Sequence, residues 1–521
     1  MTLARWLAIV PAAAAALAQS TPAPASIAGT VTNSVTGEPI LRAHVTAHCM
    51  SEDRHDGQQV YYGALTNSKG EFSIAPLPSG NCALEVQRVG FVALNFASQP
   101  VSSGAHKEGV KLTLVPTGAI TGRVLSSTGE PAQGVIVYAE LTSDNSMNAT
   151  VDDKGQFRIG GLRPGKYRVK AIRESLPFPP EIRADGSREM RDATTYYPDS
   201  LNAKTAQRLE VKAGAEVSGV EIKLVQTPIV EVSGKITGIP PGTKNIGVNI
   251  QPSGPGTSIK ADGTFSMWRV DPGKYTLQAQ QWTGQAQLQS APLDIEVTTA
   301  NLEHLELRMI PPFDIAGQVR FDDDQAREPL QPPRRPDGKS PPAPHPPPRN
   351  VSLQPMSHQG PSFSNVSLEP DDRFTVTSVQ PQRYRVELNG MSGFVKAVRV
   401  GDTETDGDIL DLRNGSPGPI TITVSSHFCE VSGTVSDSKG PVADVSVILS
   451  SVEDGSNSHV GSSNASGGYS FRVPPGKYLL AVIDAEQFNW GMQGPDLEDY
   501  EPLKLDLSAG DKITKDLTTR K

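Results

Sequence analysis

One pattern recurs five times along this chain, and it limits the fold more than any other feature. Each occurrence opens with an alternating apolar strand centred on Gly-x-Val or Gly-x-Ile and later carries an aromatic strand followed by a turn. The opening strands are residues 27–31, 120–124, 232–236, 315–319 and 431–435. A motif repeated at this spacing predicts an array of similar units rather than one large domain.

A second signature fixes the spacing inside each unit. An aromatic residue precedes a second core position by ten residues in four units and by nine in the fifth; the pairs are Phe72 and Cys82, Phe157 and Tyr167, Phe265 and Tyr275, Phe374 and Tyr384, and Tyr469 and Tyr478. Glycine before the aromatic residue suits a tight hairpin, and Pro-Gly favours the next turn.

Each unit is expected to close with a strand of period two, which indicates a sheet with one face in solvent. The predicted closing strands are 110–114, 220–224, 305–307, 420–424 and 503–507. We therefore predict an all-β chain, a tandem array of about five small antiparallel β-sandwiches.

The predicted boundaries follow from where each strand set opens and closes. They give a signal peptide at 1–18, a linker at 19–26, and β-sandwiches at 27–115, 116–226, 227–310, 311–425 and 426–521, which we call repeats 1 to 5. Repeat 4 contains a Pro-rich insertion at 331–348, whose composition favours polyproline II. Short junctions that contain proline favour an extended array.

The N-terminus predicts export. Arg5 precedes an alanine-rich apolar run, and Ala16-Leu17-Ala18 fits a signal-peptidase site. Cleavage after Ala18 should make Gln19 the first residue of the exported protein, which N-terminal sequencing checks; material outside the cytoplasm that still begins at Met1 would contradict it. The destination, whether periplasm, cell surface or exterior, stays open. No later segment has the roughly 18 apolar residues needed to span a bilayer.

Two of the three cysteines fall in repeat 1. Cys82 occupies the core position held by tyrosine in other repeats, and Cys49 follows Val45 and Ala47 at period two, so both are expected to point inward. In an exported protein this pair predicts a disulfide, with two buried free thiols as the alternative. Cys429 has no partner in its own repeat and should be a buried thiol or a route to dimers.

Composition and motifs give no support for nucleic-acid binding or catalysis. The net charge is −9, and its basic residues form no cluster, so nucleic acid is not an expected partner. His427 and Glu430 have the spacing of a zinc-peptidase half-motif, but an odd spacing in a strand places them on opposite faces. His44 and His48, with His55 nearby, are better interpreted as solvent-facing than as a metal site. We predict no catalytic residue, no metal and no cofactor.

The Gly-x-Val strands, the Gly-Glu-Pro turns at 37–39 and 129–131, and the Pro-Gly-Lys-Tyr turns together resemble the carboxypeptidase regulatory-like domain. That family is a transthyretin-like, Greek-key sandwich related to Cna-type B repeats and starch-binding-like folds. The resemblance implies an accessory module without peptidase chemistry.

Three functions are compatible with these features. The favoured one is a structural spacer or protein-interaction module at the cell envelope, whose partner would be an envelope protein or a polysaccharide. The first alternative is a carbohydrate-binding protein with Trp268, Trp282 and Trp490 as contact residues. The second is an accessory subunit of an envelope enzyme or receptor.

Overall fold

The computed structural model describes most of the chain from Ala25 onward. The described residues are 25–50, 60–78, 80–93, 97–101, 104–142, 145–174, 180–181, 183–252, 254–281, 288–328, 348–356, 364–415, 418–452, 458–483 and 497–519. The predicted signal peptide, His55, Trp282, Trp490 and residues 331–347 of the Pro-rich insertion lie outside them.

The chain separates into two compact bodies. The first comprises the residues up to Gly118 together with Gly161–Arg163 and Lys212–Ala215, and the second comprises the rest. Each repeat nevertheless has its own set of strands, which are numbered below in chain order.

Repeat 1 forms two four-stranded sheets, in the orders β4-β1-β8-β6 and β3-β2-β5-β7. Its strands are β1 (Ala25–Asn33), β2 (His44–Met50), β3 (Tyr61–Leu65), β4 (Glu71–Leu77), β5 (Gly80–Gln87), β6 (Phe91–Val92), β7 (Ala97–Val101) and β8 (His106–Pro116). The core between the sheets contains the inward residues of alternating strands, such as Ile27, Phe72 and Leu84.

Repeat 2 has the sheets β12-β9-β17 and β11-β10-β13-β15, with β16 also pairing with β13 and a separate pair β14-β18. Its strands are β9 (Gly118–Leu125), β10 (Val135–Thr142), β11 (Asn145–Thr150), β12 (Gln156–Leu162), β13 (Gly165–Arg173), β14 (Met190–Asp192), β15 (Thr195–Tyr196), β16 (Arg208–Val211), β17 (Glu216–Lys223) and β18 (Gln226–Pro228).

In repeat 3, one short strand joins the two sheets, because β24 pairs with β23 on one side and with β26 on the other. The strands are β19 (Glu231–Thr237), β20 (Ile246–Gln251), β21 (Thr257–Ser258), β22 (Thr264–Trp268), β23 (Gly273–Gln281), β24 (Gln289–Ser290), β25 (Leu293–Val297) and β26 (Leu302–Ile310). Ser290 of β24 is buried and accepts a 2.9 Å hydrogen bond from the N–H of Ala279.

Repeat 4 has the sheets β30-β27-β35-β32-β33 and β29-β28-β31-β34. Its elements are β27 (Phe313–Phe321), α1 (Asp324–Arg327), β28 (Asn350–Pro355), β29 (Ser364–Ser367), β30 (Arg373–Val379), β31 (Arg383–Asn389), β32 (Phe394–Val400), β33 (Thr403–Asp406), β34 (Ile409–Asp411) and β35 (Ile420–Ser425). The Oδ1 atom of Asp323 caps α1 by accepting from the N–H of Ala326.

Repeat 5 has the sheet β39-β38-β41-β42 and a second sheet in which β37, β40, β43 and β44 pair with β36. Its elements are β36 (Cys429–Asp437), β37 (Gly440–Pro441), β38 (Ser446–Ser451), β39 (Ser458–Ser462), β40 (Gly468–Val473), β41 (Gly476–Ile483), a 3-10 helix at Leu497–Tyr500, β42 (Leu503–Leu507), β43 (Lys512–Thr514) and β44 (Leu517–Thr518). Across the described ranges, no helix is long and apolar enough to cross a membrane.

The opening strand has the same neighbours in repeats 1, 3, 4 and 5. It pairs antiparallel with the strand that carries the core aromatic residue and parallel with the closing strand, as β1 does with β4 and β8. In repeat 2, β9 likewise lies between β12 and β17 and runs parallel to β17. Period two predicted a two-sheet sandwich and an all-β chain, as observed. The two-residue period did not predict this parallel pairing, because alternation indicates which face of a strand is exposed and not the direction of the strand.

The predicted closing strand of repeat 5 was wrong. Residues 503–507 form β42, which pairs with β41 in the other sheet. The strand parallel to β36 is formed instead by β43 and β44. Only Ile513 and Leu517 supply apolar side chains to this interrupted strand, so its alternation was weaker than that of β42.

The opening-strand glycine has a packing role. A Cβ atom on Gly29, Gly122 or Gly234 would lie about 2 Å from a backbone carbonyl oxygen of the closing strand, at Val110, Val220 or Leu305. A Cβ atom on Gly433 would lie equally close to the carbonyl oxygen of Lys515, between β43 and β44. Glycine therefore permits the close approach of the two strands in each of these repeats.

The turn tyrosine, which follows the core aromatic residue by nine or ten positions, also has a defined contact. In repeats 4 and 5 its hydroxyl donates to the carbonyl four residues earlier, at 3.0 Å from Tyr384 to Gln380 and at 2.9 Å from Tyr478 to Pro474. Burial raises the pKa of Tyr478 to about 12, so it stays a neutral donor.

Candidate interaction sites

Cys49 and Cys82 lie directly opposite each other on β2 and β5. They form a disulfide with a Cα–Cα distance of 3.9 Å. Cys49 is 9% exposed and Cys82 is fully buried, as expected for inward positions. The predicted pairing is confirmed.

Cys429 is a free, fully buried thiol. Its Sγ donates to the carbonyl oxygen of Ser508 at 3.0 Å, and burial raises the pKa of the thiol. Of the two roles predicted for this residue, the buried thiol is the one observed.

The histidine candidates occupy separate surroundings. His427 is exposed, with Nδ1 at 3.6 Å from Oδ2 of Asp323, whereas Oε2 of Glu430 contacts Nζ of Lys512 at 3.1 Å. The ring of His48 stacks on Tyr61, with centroids 5.1 Å apart. Within the described part of the chain, no group of three or more His, Cys, Asp or Glu side chains could hold a metal ion.

Trp268 is the last residue of β22, where it is partly buried and lies opposite Glu231. The other two predicted aromatic contacts, Trp282 and Trp490, lie outside the described residues. Carbohydrate contact by these three residues stays a prediction.

The contacts between repeats 2 and 3 are ionic. Arg191 pairs with Asp271 at 2.5 Å and Arg269 pairs with Glu189 at 3.1 Å; these four side chains are only 11–23% exposed. The segment that follows repeat 2 is held as β18 against β14, and Thr227, Ile229 and Val230 are buried. The predicted boundary at residue 226 thus falls in a braced strand rather than in a free linker.

The contacts between repeats 4 and 5 combine a carboxylate with aromatic rings. Asp323 accepts hydrogen bonds from the N–H of Ser426 at 3.1 Å and from its hydroxyl at 2.7 Å. Hydrogen bonding to Ser426 lowers the pKa of Asp323, so the carboxylate is charged at neutral pH. Phe428 packs edge-on against Phe394 with ring centroids 4.8 Å apart, and the guanidinium of Arg472 lies 4.2 Å from its ring.

A groove of about 1130 Å³, with both apolar and polar walls, lies between repeats 3 and 4. Its lining includes Asn249, Gln251, Thr276, Asp294, Arg383 and Arg413. Burial alone would raise the pKa of Asp411 beside this groove, but hydrogen bonds from Arg413 and Arg383 lower it to about 2. Arg383 and Arg413 of this groove are therefore both paired with Asp411.

Sequence reasoning missed these contacts between repeats. The sequence feature that could have indicated them is the segment 174–207, which is longer than the segments that follow the turn-tyrosine strand in the other repeats. This segment supplies Glu189 and Arg191. The residues they meet, Asp271 and Arg269, sit in the turn before the repeated Pro-Gly-Lys-Tyr and carry no distinctive pattern.

The fold and these contacts define a class of protein: an all-β chain of repeated sandwich modules. Residues 26–115 and 119–179 match the model of the carboxypeptidase regulatory-like domain. Repeat 1 and the first part of repeat 2 are therefore each similar to that domain, which confirms the resemblance drawn from their motifs.

Among curated proteins no match is found. Among solved structures, the Bacillus anthracis TIE protein is 11% identical, with a TM-score of 0.16 over 92% of this chain and 68% of that chain. The minor pilin GBS52 of Streptococcus agalactiae is 16% identical, with a TM-score of 0.23 over 39% of this chain and 98% of its own. The shaft pilin SpaA from Lactobacillus rhamnosus GG is 12% identical, with a TM-score of 0.20 over 38% and 97%. At these TM-scores the likenesses carry no argument about function.

Proposed function

We propose that this chain is a non-catalytic structural module, exported to the cell envelope, that holds a partner protein through a series of separately folded sandwiches. The observation that carries the proposal is the bracing between repeats. Partly buried ion pairs join repeats 2 and 3, and the helix-capping carboxylate of Asp323, together with an aromatic contact, joins repeats 4 and 5. Such contacts suit a protein that must keep a fixed arrangement of modules under load.

The bracing carboxylate gives a direct prediction. Replacing Asp323 with Ala removes both bonds to Ser426 and the cap of α1, and hydrogen bonds to a charged group contribute about 1.5–3 kcal/mol each. The amide of Ser426 should therefore exchange its hydrogen at least about tenfold faster, as measured by hydrogen–deuterium exchange of the full chain.

The matched control is Asp324→Ala, which removes the neighbouring exposed carboxylate from the first turn of the same helix. Unchanged exchange at Ser426 in Asp323→Ala, or equal acceleration in both variants, would contradict a bracing role for Asp323.

The partner class is tested by binding. The mature chain is immobilised and exposed separately to fractionated envelope proteins and to purified envelope polysaccharide. Saturable capture of one protein, identified by mass spectrometry and reproduced with the purified protein, supports the proposal. Saturable binding of polysaccharide alone would favour the carbohydrate-binding alternative and would overturn the proposed partner class.

A further inference from the structure

Asp372 of repeat 4 takes the place of a glycine found in every other repeat. The residue two positions before the core aromatic has a positive φ in all five repeats: 72° at Gly70, 77° at Gly155, 82° at Gly263, 76° at Gly467 and 64° at Asp372. Its carbonyl accepts a 2.8 Å hydrogen bond from the opening strand each time, from Val31, Val124, Ile236, Val435 and Val319 respectively. The backbone position is therefore equivalent, and a side chain there must be tolerated despite an unfavourable φ.

The space for this side chain exists because of a local change in repeat 4. In repeats 1, 2 and 5, a Cβ atom at this glycine would lie 2.9–3.1 Å from the Cβ of a turn proline, which is Pro39, Pro131 or Pro441. In repeat 4 the corresponding stretch after β27 is α1, followed by the Pro-rich insertion. In repeat 4 the side chain of Asp372 meets Arg327 of α1 instead.

The carboxylate of Asp372 binds two arginines. Its Oδ2 lies 2.9 Å from Nη2 of Arg327, and its Oδ1 lies 2.7 Å from Nη1 of Arg349. The Asp372 side chain is 13% exposed, so it is a largely buried charge that these two partners neutralise. Arg327 is the last residue of α1 and Arg349 immediately precedes β28, so the two arginines flank the Pro-rich insertion.

Backbone contacts anchor the same two places. The carbonyl of Glu328, next to Arg327, accepts from the N–H of Ser392 at 3.0 Å. The carbonyl of Arg349 accepts from the N–H of Leu368 at 2.8 Å. Both ends of the insertion are thus tied to the body of repeat 4, and Asp372 contacts the arginine side chains at both ends.

We propose that Asp372 is a positioning residue that closes the base of the Pro-rich insertion, holding its two ends together so that the insertion leaves repeat 4 at a fixed place. A strained residue persists where the surrounding structure uses it. The two ion pairs at the base also offset part of the entropy cost of holding the ends of a long insertion together. The carboxylate, not the backbone conformation, explains why this repeat departs from glycine.

Trypsin offers a test within a single digest of the full chain. It can cleave after Arg327 and Arg349 at the base, and after Arg334 and Lys339 inside the insertion. In Asp372→Asn, which keeps a residue tolerant of positive φ but removes the charge, we expect cleavage at the base to accelerate at least about tenfold relative to cleavage inside the insertion. Asp372→Gly should show the same acceleration of cleavage at the base, although it restores the glycine that the other repeats have at this position.

The control is Asp371→Asn, because Asp371 is adjacent, 53% exposed and paired only with Arg373 at 3.2 Å among the contacts of the described residues. An unchanged ratio of base to internal cleavage in both Asp372 variants would overturn the proposal. If these variants unfold, cleavage will accelerate in all repeats, and Arg327→Gln then decides. Arg327 is 54% exposed, so its loss should leave the fold intact while accelerating cleavage after Arg349; no acceleration there would overturn the proposal as well.

Discussion

Replacing Cys49 or Cys82 with serine should lower the free energy of unfolding of repeat 1 by about 3–4 kcal/mol, because the disulfide closes a loop with a sequence separation of 33 residues. Both positions are buried, so serine would gain no solvent contact to compensate. The decrease in the free energy of unfolding is measured by unfolding the oxidised full chain in urea and monitoring hydrogen exchange of the repeat 1 amides.

Cys429→Ser is the matched control, since it changes a buried cysteine in repeat 5 without touching the disulfide. Thiol titration of denatured, unreduced protein should find one free thiol per chain. Three free thiols, or stability unaffected by reduction, would contradict the pairing.

Replacing Gly234 with alanine should destabilise repeat 3 by about 3 kcal/mol or more, at the upper end of the range for overpacking. The new Cβ would lie 2.1 Å from the carbonyl oxygen of Leu305, and a backbone atom cannot rotate away as a side chain can. β19 and β26 must separate to accommodate it, which disrupts their parallel pairing.

Ser233→Ala is the control for this substitution, because it changes the neighbouring, partly exposed residue of the same strand. The unfolding midpoint in urea and exchange of the β26 amides report the effect. A Gly234→Ala chain as stable as Ser233→Ala would show that the close approach of the two strands does not require glycine.

The repeated local features of this fold could be predicted from the sequence. Alternation placed Phe265 and Phe374 in the cores, and the register of Cys82 with the turn tyrosines placed the disulfide. These predictions were confirmed because each depends on residues close in sequence and on the two-residue period of a strand.

The features that could not be predicted depend on partners distant in sequence. The closure of repeat 3 by Gln289 and Ser290 rests on hydrogen bonds from a two-residue strand with no alternation to detect. The pairing of Arg191 with Asp271 joins residues in different repeats, and charged residues at a surface look alike until the fold brings them together. The sequence shows Asp372 at the position of a glycine in the other repeats, but only the fold shows that Arg327 and Arg349 both contact it.

The central claim is that the five repeats are separately folded modules in one structural chain, and pulling on single molecules from both ends tests it most directly. We predict five unfolding events, each releasing about 300–400 Å of chain at roughly 3.5 Å per residue, with a shorter step from repeat 1 because its disulfide withholds the enclosed loop. Reduction should lengthen that step by about 110 Å. Two events, with everything from Ala119 onward released at once, would contradict the account.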